Sequence, residues 1–233
     1  MKRIAIIPAR GGSKRLPRKN VLQFMGKPML IWTCEAARDS GLFDRIVVST
    51  EDSEIAGVAA SYGYDVAERP AHLATDTASV VDVCHHMLES LAAGGEEYDI
   101  LCALYATAPL RTADDIREVV GLVERDGADY AHAMVRFSLP PHQAMYVNDA
   151  GYCSYAWPLV AGLKSQHVPE AVVDNGSTYA ARVSKFMKTR KFSGMRLKGY
   201  LMPAVRSVDI DTREDYEMAL LFAKHLASGD CNV

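Results

Sequence analysis

The sequence has few of the features that mark nucleic-acid-binding, membrane or secreted proteins. Its 233 residues carry 26 Lys and Arg against 29 Asp and Glu, a net charge of −3, so the basic excess of a general nucleic-acid binder is missing. No apolar run approaches the ~20 residues that span a bilayer, and the apolar stretch after Lys2 and Arg3 is too short for a secretory signal. We therefore expect a cytoplasmic protein that has neither nucleic acid nor a membrane as a partner.

Cysteine chemistry is also sparse. The five cysteines are odd in number and widely spaced, without a C-x-x-C pair or a Cys/His ligand spacing. We interpret them as reduced structural thiols. Because 49% of the residues are hydrophobic, the chain can bury one large core, and we expect a single domain over residues 1–233.

Strand and helix patterns alternate along the chain. Short apolar strands are predicted at "RIAIIP", "RIVVST" and "YDILCALY", and helical patterns separate them. Among these helices, one should end at Gly41, and two should begin at the caps Asp52 and Thr112. This alternation predicts an α/β fold with a mainly parallel sheet and helices on both faces. Ligands of such sheets bind beyond the carboxyl ends of the strands, so the functional residues should follow the strands.

Residues 138–174 interrupt this alternation. The segment has no clean periodicity, and it contains four prolines, Trp157 and several tyrosines. A structureless loop of this length is uncommon in a compact domain, and disordered loops are poor in aromatic residues. We expect an inserted arm that packs against a second subunit; a flexible surface insertion is the alternative.

The first predicted strand leads into a basic loop, "IIPARGGSKRLPRKN", from Ile6 to Asn20. Gly11 and Gly12 allow the backbone to turn sharply, and successive N–H groups in such a turn can form an anion-binding concavity. The loop matches neither the P-loop nor G-x-G-x-x-G. Its cations suit a triphosphate, although a solvated basic turn is the alternative. The cations are Arg10, Lys14, Arg15, Arg18 and Lys19.

The loop and "GKPML" resemble the N-terminal signature of the acylneuraminate cytidylyltransferases, the CMP-sialic acid synthetases. The resemblance continues through "VVSTEDSEIA", "ERPAHLATDTAS", "ATAPLRT", "DNGSTY" and "VDIDTREDYEMA", in the family's order. It implies a Rossmann-like three-layer sandwich of the nucleotide-diphospho-sugar transferase type with an inserted dimerisation arm. "YATAP" and "SQHVPEAVVDNGSTY" are most similar to pseudaminic acid cytidylyltransferases. Tyr105 and Ala106 replace the glutamine and proline usual in sialic acid enzymes, and Lys164 replaces an arginine, so the sugar stays open.

The implied reaction transfers CMP from CTP to the anomeric hydroxyl of a nine-carbon 2-keto sugar acid, pseudaminic acid or a related nonulosonate, and releases pyrophosphate. CMP-N-acetylneuraminate and CMP-legionaminate synthetases are alternatives, as is an eight-carbon-sugar enzyme. A nucleotide-sugar glycosyltransferase and a non-catalytic nucleotide-binding regulator are more distant ones. The family also implies Mg²⁺ and a homodimer whose arm contributes to the neighbouring site.

The resemblance assigns residues to each part of the site. The predicted catalytic residues are Arg10, Lys19 and Asp211. The predicted nucleotide-binding residues are Arg10, Gly11, Gly12, Ser13, Lys14, Lys19, Asn20, Arg69, Asp76, Thr77 and Ser79. Neutral hydrogen-bonding side chains suit a sugar acid, so the predicted sugar-binding residues are Tyr105, Thr107, Gln166, Asn175 and Tyr179. A position in the core is the alternative for Tyr179. Arg15 and Arg18 are open between a site role and an outer-surface position, and Arg111 between the sugar carboxylate and the start of the next helix.

Asp209 and Asp211 in "DID" are predicted to bind the metal. Residues i and i+2 of a strand point to the same side, so two carboxylates would converge on one Mg²⁺. The alternative is the polar face of an edge strand, with Asp211 helping to cap the last helix. For the proton of the attacking hydroxyl, we favour a metal-lowered pKa or a water assisted by Asp211 over His72, the nearest histidine.

Overall fold

The computed structural model describes residues 1–228. Its strands are β1 (Arg3–Pro8), β2 (Gln23–Phe24), β3 (Lys27–Pro28), β4 (Arg45–Thr50), β5 (Asp65–Glu68), β6 (Ile100–Leu104), β7 (Tyr130–Arg136), β8 (Met145–Val147), β9 (Cys153–Tyr155), β10 (Val172–Arg182) and β11 (Leu197–Leu201). Its α-helices are α1 (Met29–Ser40), α2 (Ser53–Ser61), α3 (Val80–Ala93), α4 (Ala113–Glu124), α5 (Pro158–Ala161), α6 (Val183–Thr189) and α7 (Arg213–Ser228).

Seven strands form the central sheet in the order β11-β7-β10-β6-β1-β4-β5. β1 lies parallel to both β4 and β6, and its Ile6 is in register with Val47 and Ala103. β10 runs antiparallel to both β6 and β7, and the remaining pairs are parallel. The predicted α/β fold with a mainly parallel sheet is confirmed.

Both faces of the sheet are covered, which explains why β1 is apolar at successive positions. Alternate residues of a strand point to opposite faces. Ile4 and Ile6 pack in one buried cluster, and Ala5 and Ile7 pack in another. The predicted three-layer arrangement is therefore also confirmed.

The helix ends form at the residues that the sequence indicates. Asp52 accepts hydrogen bonds from the backbone N–H groups of Glu54 and Ile55 at the start of α2. Thr112 and Asp115 form a capping box at the start of α4. Gly41 ends α1 in the left-handed region, with φ of 65°, where glycine avoids a Cβ clash.

The segment 138–174 is more ordered than its sequence pattern predicts. It contains the hairpin of β8 and β9, the short helix α5 and two 3₁₀ turns. Its last residues, 172–174, belong to β10, where Val172 pairs with Arg136 of β7. The arm thus emerges from the sheet between β7 and β10. Many of its apolar side chains are exposed, including Leu139, Tyr152 and Leu159.

Three of the cysteines lie in the core. Burial raises the pKa of the Cys34 and Cys102 thiols to about 12 and also raises that of Cys84. Cys153 is a free thiol exposed on β9, and Cys231 lies outside the described residues. No helix in residues 1–228 has the length and apolar character needed to cross a membrane.

Candidate active site

A cavity of about 430 Å³ lies beyond the carboxyl ends of β1 and β6. Its wall includes the basic loop after β1 and the segment that follows β6. This is the edge at which ligands of parallel sheets bind. The cavity brings together eleven of the predicted site residues: Arg10, Ser13, Lys14, Lys19, Asn20, Arg69, Asp76, Ser79, Tyr105, Thr107 and Asp211.

The backbone at Gly11 differs from the open anion-binding turn that the sequence predicted. The Gly11 N–H donates to Oε1 of Glu51 at 2.8 Å, and the Ser13 N–H donates to the Gly11 carbonyl at 2.9 Å. These two N–H groups are therefore not part of an open anion-binding concavity. Neither Gly11 nor Gly12 has a left-handed φ, but a Cβ on Gly11 would collide with the Asp52 carboxylate. Gly11 is needed for this close approach rather than for its backbone freedom.

Arg18 anchors the loop and is not a bystander on the outer surface. Its φ of 57° lies in the left-handed region, and its guanidinium donates to both oxygens of Asp52, at 2.5 and 3.0 Å, and to Glu54. The hydrogen bond from Arg18 lowers the pKa of Asp52 to about 2. The buried amide of Asn20 donates to the Arg10 carbonyl at 2.9 Å, which closes the loop on itself.

The other four cations of the loop pair with two carboxylates. Asp76 accepts from Arg10 at 2.7 Å and lies 2.5 Å from Nζ of Lys14. Lys14 and Arg10 together lower the pKa of Asp76. Asp211 holds the second pair, Lys19 and Arg15. Each carboxylate thus bridges two cations and acts as their internal counter-ion.

Arg15 pairs with Asp211 through Nη2 and Oδ2 at 2.5 Å, so it also belongs to the site. Thr77 lies beside this site rather than in the cavity wall, and its hydroxyl is 3.1 Å from that of Thr75. Ser79 lines the cavity and also caps α3 together with Asp82.

The DID segment is an irregular stretch before α7, not a strand. Asp209 accepts from the Thr107 hydroxyl at 2.5 Å, and burial raises its pKa. Asp211 lines the cavity. Thr212 caps α7 by accepting from the backbone N–H of Asp215, and the Asp215 carboxylate accepts in return from the N–H groups of Asp211 and Thr212.

The two carboxylates fit a magnesium ion only together with a ligand that supplies further oxygens. No group of three or more His, Cys, Asp or Glu within residues 1–228 is arranged to hold a metal alone. Mg²⁺ is typically held by one or two carboxylates and by the phosphates of a substrate. Asp211 on the cavity wall, with the half-buried Asp209 near enough to repel it, offers a donor set of that kind.

The predicted sugar-binding residues separate into different places. Tyr105 and Thr107 line the cavity. The Tyr179 ring lies 5.2 Å from the Tyr105 ring between centroids, and its hydroxyl donates to Asp174 at 2.7 Å. Asn175 is buried, and its amide bonds Ser207 and Ser177, so it supports the site from behind. Gln166 is exposed in the arm, outside this cavity wall.

Arg111 has neither of the two positions left open by its sequence. It is 3% exposed and donates to the Ser177 carbonyl at 2.6 Å and to the Thr33 hydroxyl at 2.7 Å. Burial lowers its pKa to about 10. It therefore joins β10 to α1 from within the core.

Three residues that shape the site were not predicted to do so from the sequence, which indicated Asp52 only as a helix cap. They are Glu51, Asp52 and Asp174. Glu51 and Asp52 follow β4 at the same sheet edge as the basic loop. Because functional residues of such sheets follow the strands, the position of this acidic pair directly after β4 could have indicated a role in the site. The position of Asp174 in the sequence did not indicate its role. Its hydrogen bond with Tyr179 depends on the irregular register of β10 between these two residues, which the residue pattern does not show.

A mainly parallel sheet with a cation-lined cavity at its carboxyl edge is typical of nucleotide-binding α/β enzymes. The family model described as "Cytidylyltransferase" matches residues 4–148. The chain belongs to this cytidylyltransferase family and is a nucleotidyltransferase, which confirms the predicted family and enzyme class.

Curated relatives resemble almost the whole chain. A pseudaminic acid cytidylyltransferase of Campylobacter jejuni is 33% identical over 225 residues, 96% of this chain and 97% of its own length. A CMP-N,N'-diacetyllegionaminic acid synthase of Legionella pneumophila is 32% identical, covering 94% of each. An N-acylneuraminate cytidylyltransferase of Escherichia coli is 34% identical over 93% of this chain but only 51% of its own length.

Two solved structures share the fold. A CMP:2-keto-3-deoxy-manno-octonic acid synthetase complexed with CTP has a TM-score of 0.69 and 19% identity, and the match covers 97% of this chain and all of the other. A 4-diphosphocytidyl-2C-methyl-D-erythritol synthase of Anaerococcus prevotii has a TM-score of 0.66 and 11% identity, with 96% of each chain covered.

Proposed function

We propose that the protein transfers CMP from CTP to the anomeric hydroxyl of a nine-carbon 2-keto sugar acid, pseudaminic acid or a related nonulosonate. Pyrophosphate leaves. The main support is that relatives named for three such sugar acids match 93–96% of this chain. A neighbour in fold is described as complexed with CTP. Since CTP is a cytoplasmic metabolite, the reaction belongs in the cytoplasm.

The basic loop binds the triphosphate in this proposal. When CTP binds, Arg10 and Lys14 break their ion pairs with Asp76 and bind phosphate oxygens instead. Lys19 likewise breaks its ion pair with Asp211 and binds the phosphates. Cations placed around the leaving pyrophosphate stabilise the charge that develops in the transition state. Arg69 and Ser79 lie at the nucleoside end of the cavity. The existing ion pairs support this assignment, because a carboxylate already occupies the position of an anion beside each pair of cations.

Asp209 and Asp211 would hold Mg²⁺ with the phosphates as the remaining ligands. Bound there, the ion neutralises charge on the phosphate oxygens. Asp211 then has two successive roles, since it holds Lys19 at the cavity until the phosphates take its place on that lysine. The buried Thr107 hydroxyl fixes the carboxylate of Asp209 before any ligand arrives.

The sugar acid binds next to Tyr105 and Thr107. Tyr179, fixed by Asp174, packs against Tyr105 and completes an aromatic wall. Asn175 holds the turn behind this wall. Neutral hydrogen-bonding side chains suit a ligand with hydroxyl and N-acyl groups.

The arm makes the protein a homodimer in this proposal, and Gln166 serves the site of the second copy. Its many exposed apolar side chains support this role, because large exposed apolar areas usually mark an interface. Leu159 is 98% exposed and Trp157 is 53% exposed.

A pyrophosphate-release assay with CTP, Mg²⁺ and a panel of nonulosonic acids tests the function. Pseudaminic, N-acetylneuraminic and N,N'-diacetyllegionaminic acids form the panel, and we expect pyrophosphate with at least one of them. A glycosyltransferase would consume an activated sugar and release none. A regulator would bind CTP without turnover even with every sugar acid present, and either result would refute the proposal.

A further inference from the structure

Glu51 lies between the loops that follow the two strands beside β4. β4 pairs with β1 on one side and with β5 on the other. The basic loop follows β1, Glu51 follows β4 and Arg69 follows β5, so all three emerge at one sheet edge. A carboxylate beside an anion-binding cavity repels the anion, so a role for Glu51 has to come from its other contacts.

The two oxygens of Glu51 have different partners. Oε1 accepts the Gly11 N–H at 2.8 Å. Oε2 lies 4.0 Å from Nη1 of Arg69, and no other carboxylate in residues 1–228 comes within that distance of this guanidinium. One side chain therefore contacts both the start of the basic loop and an arginine of the cavity wall.

Both partners of Glu51, Arg69 and Gly11, lie in closely packed surroundings. Arg69 is 6% exposed and donates to the Ser49 carbonyl at 2.6 Å. Burial lowers the pKa of Arg69, and the negative charge of Glu51 opposes that shift. Gly11 lies so close to Asp52 that no Cβ fits, and its N–H has Glu51 as hydrogen-bond acceptor.

We propose that Glu51 is a positioning residue that couples the nucleoside end of the cavity to the phosphate end. Oε1 fixes the start of the phosphate-binding loop through Gly11, and Oε2 holds Arg69 in its orientation by charge. The inference rests on the proposed function, in which Arg69 lies at the nucleoside and the basic loop at the phosphates. The opposite possibility is that the carboxylate on Gly11 stands in for a phosphate and is displaced by it.

Two substitutions separate the two contacts. Glu51→Gln keeps a carbonyl oxygen for the Gly11 N–H but loses the charge that faces Arg69, whereas Glu51→Ala loses both. Calorimetric titrations with CMP and with pyrophosphate measure the two ends of the cavity separately. A matched control is Glu68→Gln, which removes one exposed negative charge directly beside Arg69 in the chain.

Glu51→Gln should weaken CMP binding about tenfold and leave pyrophosphate binding within about twofold, while Glu51→Ala should weaken both about tenfold. Glu68→Gln should bind both ligands as the wild type does, and all three variants should keep the wild-type melting temperature. A merely structural role would not change the ratio of the two affinities in Glu51→Gln.

Tighter pyrophosphate binding by Glu51→Ala would identify the carboxylate as a phosphate stand-in and overturn the proposal. Unchanged CMP binding by Glu51→Gln, or equal losses of both ligands in that variant, would overturn it as well. A wild-type protein that binds neither CMP nor pyrophosphate would instead refute the proposed function, so the two failures are distinguishable.

Discussion

Lys19 and Asp211 lie 192 residues apart in the chain, and Nζ of Lys19 donates to Oδ1 of Asp211 at 2.6 Å. Nζ also donates to the Ile210 carbonyl at 3.2 Å. This contact joins the basic loop after β1 to the segment before α7. Both ends of the described chain therefore build the same wall of the cavity.

Lys19→Ala should lower kcat for pyrophosphate release by about 10²–10³-fold, because a cation at the leaving phosphates is lost. The fold should persist, since Arg15 still pairs with Asp211. The measurement is pyrophosphate release together with far-UV circular dichroism. Lys27→Ala is the control, because Lys27 pairs with Glu35 away from the cavity wall and should leave kcat unchanged. Wild-type turnover by Lys19→Ala would contradict the role of this lysine.

Asp211→Asn should raise the Mg²⁺ concentration for half-maximal activity by at least about tenfold, because a metal-ligand carboxylate becomes a neutral amide. A Mg²⁺ titration at saturating CTP measures this shift. Glu214→Gln removes an exposed carboxylate three residues away, in the first turn of α7, and should leave the titration unchanged. If Asp211→Asn titrates like the wild type, Asp211 is not a ligand of the ion.

Asp52→Asn should destabilise the protein by about 1 kcal/mol at neutral pH and by less in acid. Asparagine keeps the N-cap of α2 but cannot form the ion pair with Arg18. The pKa of Asp52 is about 2 in the folded protein, below its ordinary value of 3.8. A lowered pKa contributes stability that is present above the ordinary value and is lost as the pH falls from about 4 toward 2.

Urea unfolding of the wild type and Asp52→Asn at pH 6 and pH 3 checks this dependence. The difference in unfolding free energy should be smaller at pH 3. Asp39→Asn, at an exposed position near the end of α1, provides a control for loss of one surface carboxylate. A difference that does not change with pH would show that the Arg18 pair adds no charge-dependent stability.

Leu159→Glu should produce monomers of low activity, because it places a charge in the apolar surface of the arm and removes Gln166 from the site of the second copy. Sedimentation velocity and pyrophosphate release on the same sample measure both effects. Leu221→Glu introduces the same change at an exposed position of α7, 67% accessible, and should remain an active dimer. A fully active monomer would end the proposal that the arm completes the neighbouring site.

The local signals in the sequence predicted much of the fold. Helix caps depend on residues close in sequence, so the helix ends at Asp52, Thr112 and Gly41 could be predicted from the local residue pattern. The sequence also correctly led to a cavity beyond the strand ends, and eleven predicted residues line it. The antiparallel insertion of β10 between β6 and β7 had no local signal, because pairing is set by packing of distant segments.

The errors arose where a side chain has a distant partner. Arg111 is buried because Ser177 and Thr33, 66 and 78 residues away, accept its hydrogen bonds. Arg18, whose position the sequence left open, contacts Asp52 across 34 residues. The alternation expected for Asp209 and Asp211 assumed a strand, but the segment leaves the sheet before α7 begins. Residue type and spacing alone could not supply these partners.

Within residues 1–228, three thiols are buried and one, on the arm, is exposed, so the arm can be labelled selectively. Thiolates are the reactive species, and Cys34, Cys84 and Cys102 are both covered and held in the protonated form. Cys153 on β9 is open to solvent. With Cys231 replaced by serine, a maleimide fluorophore would attach at this one place, and energy transfer between two dyes would report subunit association directly.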